Sequence, residues 1–147
     1  MNKKLGLIII VALAIAAFFY FDLKQYLDSG DTSLLPKIGA GITLLIGLIG
    51  FFKPTILTEP MNIALQSPVA LSEARGVFGG LNLGMAIAAF ALGAPVVFTA
   101  MGIAWVTVTL ARFWSMAVDN IGFKASIPAL IVDGTISFLL LSPLILA

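Results

Sequence analysis

The chain has 147 residues, of which 61% are hydrophobic and only 10% charged. A soluble domain carries about 25% charged residues, so this composition points to a protein that lives in lipid. A net charge of +1 excludes the clustered basic face that nucleic acid needs, and the lack of cysteine and histidine removes disulfides, thiolate and imidazole chemistry and nearly all zinc, haem or iron–sulfur ligation. Catalysis would rest on carboxylates alone. The expectation is a protein that is not an enzyme, with no cofactor and no metal.

Five hydrophobic segments follow along the chain, at residues 5–21, 37–52, 72–93, 96–118 and 127–147. Each is near the roughly 17–25 residues that cross a 30 Å hydrocarbon core. The fold class predicted is all-α: a polytopic transmembrane bundle of five helices, forming one integral membrane domain over residues 1–147.

The first segment follows Met1-Asn2-Lys3-Lys4, which also suits a secretory leader, with Ala14-Ile15-Ala16 as a cleavage site. It is read here as a retained helix. Residues 22–36 mix Tyr26, Leu27, Leu34 and Leu35 with three aspartates, as suits a short element along the outer interface. The second segment carries Gly39, Thr43 and Gly47 at four-residue spacing. Pro54, Pro60 and Pro68 forbid a continuous helix over residues 53–69. Ser67-Pro68 is a good cap and first-turn pair for the third helix.

That third helix repeats Ser72, Gly76, Gly80, Gly84 and Ala88 every four residues, with Gly79 alongside. Such a small-residue stripe lets another backbone come close. The first expectation is packing inside the same chain, with the Gly39–Thr43–Gly47 stripe as mate; the alternative is a homo-oligomer or partner interface. A phosphate loop is excluded, since no strand precedes these glycines and no Lys-Ser/Thr follows. Gly93-Ala94-Pro95 turns the chain sharply into the fourth helix.

On the fourth helix Trp105, Thr109, Arg112, Met116 and Asp119 recur at spacings of four and three, one helical face. The fifth places Ser126, Asp133 and Ser137 together, and the third Arg75, Gly79 and Asn82. Met85, Met101 and Met116 read as packing side chains, not soft-metal ligands. Trp114, Phe113 and Phe123 read as anchors at the lipid boundary.

Asp133 lies well inside an apolar stretch, and an intramembrane acid needs a partner to offset several kcal/mol of desolvation. Counted from the outer ends at about 1.5 Å per residue, Arg75, Arg112 and Asp133 lie roughly 27, 24 and 21 Å deep, all in the inner third of the bilayer. The expected cluster is an Arg112–Asp133 ion pair with Arg75 and Asn82 nearby and Asp119 closing the inner end. Glu73, two residues from Arg75, points elsewhere and would face Lys53. Such a pair either fixes helix packing or holds a ligand.

With the N-terminus inside, Lys3, Lys4, Lys53, Arg75, Arg112 and Lys124 fall on the cytoplasmic side, against Lys24 and Lys37 outside. Short loops rich in Lys and Arg stay cytoplasmic. The expected setting is the bacterial inner membrane, multi-pass, N-terminus in.

The run from Glu73 through Arg75, Gly76, Phe78, Gly79, Gly80, Asn82 and Leu83 to Gly84, followed by Arg112, Asp119 and the acid Asp133, resembles the signature of a family of small bacterial four-helix membrane proteins. That family is similar to the broad DoxX-like superfamily. The resemblance covers about residues 37–147 and implies a four-helix core with residues 1–21 as an extra helix. Phe78 stands where the family usually has Tyr, and the hairpin at Gly93 lacks the family's basic residues. Roles implied by the superfamily run from accessory subunits of quinone-linked oxidoreductases to assembly factors. The leading functional expectation is accordingly an accessory or assembly subunit, in contact with the lipid bilayer and a membrane protein partner. The alternative is a binding or transport module for a lipid, quinone or other amphiphile, held by Arg75 and Arg112. A proton-coupled carrier using Asp133 ranks behind both.

Overall fold

The computed structural model describes residues 34–119 and 121–145, and all regular structure among them is helical. The expected helix over residues 5–21 and the interfacial element over residues 22–33 lie outside the described residues. The chain divides into two units, Met1–Leu34 and Leu35–Ala147; the fold below is that of the second.

Four long helices are apolar enough to cross a membrane: α1 (Leu34–Phe52), α3 (Pro68–Leu92), α4 (Pro95–Val118) and α5 (Phe123–Ile145). At about 1.5 Å per residue they are roughly 28–38 Å long. Between α1 and α3 lies α2 (Thr55–Thr58), followed by one 3₁₀ turn, Glu59–Met61.

Prolines and glycines set these boundaries. Residues 34–36, ahead of the apolar run, are already helical. Pro54 disfavours helical geometry at Lys53 and ends α1 there. Ser67 caps α3, its Oγ accepting from the Ala70 N–H at 3.0 Å, with Pro68 at the first helical position. Gly93 closes α3 in the left-handed conformation (φ +59°), its N–H donating to the Ala89 carbonyl at 3.0 Å. Ala94 is extended and Pro95 opens α4. Pro128 and Pro143 lie inside α5.

Within α3, Arg75–Leu81 is wound as a π-helix, a wider turn than the α-helix on either side. Three of its seven residues are glycine, which hold α-geometry least firmly. Asn82 mends the distorted ladder. Its own N–H donates to the Gly79 carbonyl, and its Nδ2 donates to the Phe78 carbonyl at 3.0 Å.

α1 is the most enclosed of the four long helices, and glycines let it into place. A Cβ on Gly50 would stand 2.5 Å from the Phe78 carbonyl carbon, and one on Gly79 2.5 Å from the Phe51 nitrogen. A Cβ on Gly47 would stand 2.5 Å from the Leu83 nitrogen. α1 therefore crosses the π segment at backbone contact. At its other end Gly39 faces the Leu140 side chain, which also meets α4 at Gly102. The apolar core lies around that end: Ala40, Ala86, Ala89, Phe98, Met101, Trp105, Ile136 and Leu140. Outward faces carry large apolar groups, including Leu81, Ile87, Ile103, Leu110, Ile131 and Phe138. Exposure on this scale suits contact with a bilayer.

The Gly39, Thr43 and Gly47 stripe does not mate with the Gly76–Gly80–Gly84 stripe. Its members serve three neighbours: Leu140 of α5, Trp105 of α4 and Leu83 of α3. Gly79 is the α3 glycine that packs inside, whereas a Cβ on Gly76 or Gly84 would meet nothing within 4 Å.

Gly79→Ala is expected to lower stability by about 1–3 kcal/mol through backbone overpacking. Gly134→Ala, where a Cβ meets open space in α5, should be neutral or stabilising by up to about 1 kcal/mol. Thermal unfolding in mild detergent checks both.

Candidate functional site

α4 and α5 run antiparallel on either side of a short link. Arg112 lies six residues before the end of α4 and Asp133 ten residues after the start of α5, and the long arginine side chain spans the difference, its Nε donating to the Asp133 Oδ2. Their burial is unequal: the Asp133 side chain is 4% exposed and the Arg112 side chain 33%. The carboxylate is sealed in, while the guanidinium keeps an open edge. Ser137 sits one turn on and donates from Oγ to the Asp133 carbonyl oxygen at 2.7 Å, which satisfies its buried hydroxyl without competing for the carboxylate.

A second polar connection ties α4 to α1. Trp105 Nε1 donates to Thr43 Oγ1 at 3.1 Å, and that hydroxyl donates to the Gly39 carbonyl at 3.0 Å. Thr109 Oγ1 donates to the Trp105 carbonyl at 3.0 Å. The Trp105–Thr109–Arg112 face therefore makes contacts at two levels, Thr43 toward the apolar core and Asp133 toward the α4–α5 link. The Thr43 contact could not be read from the sequence, because a lone Thr in an apolar helix names no partner 62 residues away.

The remaining candidates lie elsewhere. Arg75 and Glu73 are exposed and carry no ion pair or hydrogen bond through their side chains among the described residues. Asp119 is exposed at the end of α4, its N–H donating to the Ser115 carbonyl. Asn82 is half-buried and bonded to Phe78. Lys53 is exposed and forms no pair with Glu73. The expectation that Arg75 and Asn82 join Arg112 rested on α-helical spacing. The π winding from Arg75 breaks that spacing, and it leaves Gly79 inside while Arg75 stays out.

Chemically, the site is one charge-neutral pair with a partly open guanidinium, in helices otherwise apolar. Apart from this pair, α3 presents an open face of small residues: Ser72, Gly76 and Gly84 are exposed, and Gly80 and Ala88 half-exposed. Set against known protein families, curated proteins and solved structures, the chain matches none.

Removing the guanidinium strands a sealed carboxylate, so Arg112→Leu is expected to lower stability by about 3 kcal/mol. Asp133→Asn leaves an arginine with access to its surroundings and should cost about 1 kcal/mol. In the double variant the two losses should fall short of their sum. Unfolding midpoints of the three variants, measured in one detergent, check this ordering.

Proposed function

We propose that this chain is a multi-pass protein of the bacterial inner membrane that works as an accessory or assembly subunit of a membrane complex. It docks through the open face of α3. The observation that carries this reading is the contrast between the two kinds of polar or small residue in the chain. Thr43, Trp105, Asn82, Arg112 and Asp133 are engaged within it. Ser72, Gly76 and Gly84, with the half-exposed Gly80 and Ala88, line a face that stands open among the described residues. In lipid, small residues drive helix association by letting backbones approach, so an open stripe of them is a surface suited to a partner.

The similarity of residues 73–84 to the DoxX-like signature supports the same role. The excess of Lys and Arg at Lys3, Lys4, Lys53 and Lys124 supports a cytoplasmic N-terminus. A second reading has one observation in its favour: Arg112 binds Asp133 through Nε with a third of its side chain open, so its outer edge is free to hold the head of a lipid or quinone.

Purification from native membranes at native expression, in mild detergent, tests both. Co-elution of a distinct membrane protein, with the assembly weakened by Gly80→Leu, is the expected result. Elution without any other protein overturns the subunit reading. A retained amphiphile lost on Arg112→Ala would establish the second.

A further inference from the structure

We infer that the first occupant of the α3 face is a second copy of this chain, docked about a two-fold axis along the membrane normal. This rests on the docking face proposed above and names what covers it.

The argument begins with two charges. Glu73 and Arg75 lie five and seven residues into α3, about 8 and 11 Å along it. Both are exposed, and neither has an ion pair among the described residues. Unpaired charge on a membrane-spanning helix is costly, and it calls for a partner beyond the described helices.

Their placement selects that partner. Glu73 follows Ser72 and Arg75 precedes Gly76, each about 100° around the helix from the stripe and in opposite senses. The small-residue line therefore has an acid on one flank and a base on the other. Copies of one chain insert in a membrane the same way, so a two-fold between them runs along the normal and sets α3 parallel to α3. Such an interface is self-complementary. Each flank meets the opposite flank of the partner, so Glu73 of each copy faces Arg75 of the other, about 3 Å apart in height. Four charges are neutralised in two reciprocal pairs.

The π segment straightens part of the contact line. In an ideal α-helix a four-residue repeat overshoots a full turn by about 40°, so Ser72 to Ala88 would wind about 160° around the helix. The wider turn advances less per residue and takes up part of that drift. Ser72, Gly76 and Gly84 are exposed and Gly80 and Ala88 half-exposed, whereas Ala74, Gly79, Ala86 and Ala89 are buried. Backbone approach at Gly76 and Gly84 is unobstructed. The two flanking charges sum to zero, so this face has no preference for anionic lipid.

The chain has no cysteine, so single cysteines report the contact in native membranes holding the full-length protein. Ser72→Cys and Ala88→Cys should crosslink to dimer at a yield roughly five-fold or more above Thr107→Cys on the exposed side of α4. In the Ser72→Cys and Ala88→Cys backgrounds, Glu73→Arg or Arg75→Glu alone should cut the yield roughly five-fold by setting like charges together. Combining the two swaps should restore it. Unfolding midpoints unchanged from the parent show that the variants are folded. Crosslinking no better than Thr107→Cys, or a double swap as poor as the single ones, overturns the two-fold contact. If a different protein is then crosslinked at Ser72→Cys, the subunit reading survives and the homodimer does not. A dimer that elutes with no other protein has the opposite meaning.

Discussion

The backbone contact between α1 and the π segment of α3 decides the rest of the arrangement. Gly50 and Gly79 lie so close that a methyl group on either would overlap main-chain atoms of the other helix. Lipid supplies no hydrophobic drive for helices to associate, so close packing has to do what burial does in water. Glycine at both positions permits it. Once Gly79 is turned inward, the orientation of α3 is fixed: Ala86 and Ala89 join the apolar core, and Ser72, Gly76 and Gly84 look outward.

The Arg112–Asp133 pair answers a different requirement. An isolated carboxylate in hydrocarbon is costly enough that the helix carrying it must pack where a base can reach it. The pair therefore fixes the register of α4 on α5, while the Leu141 side chain at Gly102 fixes their spacing at the opposite end. Trp105 on Thr43 adds a third tie, from α4 to α1. Polar contacts between membrane helices contribute about 0.6–2 kcal/mol each, so these act more by excluding alternative registers than by adding stability.

Much of this was readable from the residues. The four described spans follow from hydropathy, and their ends follow from Pro54, Ser67-Pro68 and Gly93-Ala94-Pro95, because turn and cap chemistry is local. The Arg112 and Asp133 levels followed from helix rise, which is uniform in α4 and α5. Arg75 is exposed and outside the cluster because α-helical face spacing does not hold through the π segment, and three glycines in seven residues are the available warning. The partners of α1 were hidden for another reason. A glycine or a threonine in an apolar helix marks where something approaches closely, without marking what. Gly47 and Gly50 meet backbone of α3, whereas Gly39 meets a leucine side chain of α5, and the local sequence looks the same in each case.

The glycines of α3 sort into two groups by what they touch. Gly79 is required by α1, and replacing it disturbs the chain itself. Gly76 and Gly84 touch nothing among the described residues, and glycine in a helix interior is less stable than alanine by about 1 kcal/mol. Packing among the described helices therefore gives no reason for them. A π-helix is likewise poorer than the α-helix it interrupts. Two unfavourable local choices coincide with two charges left unpaired on the flanks of the same face. Each is explicable when the outer face of α3 is a contact surface and not a boundary with lipid, since close backbone approach and paired charge are both realised only when that face is covered.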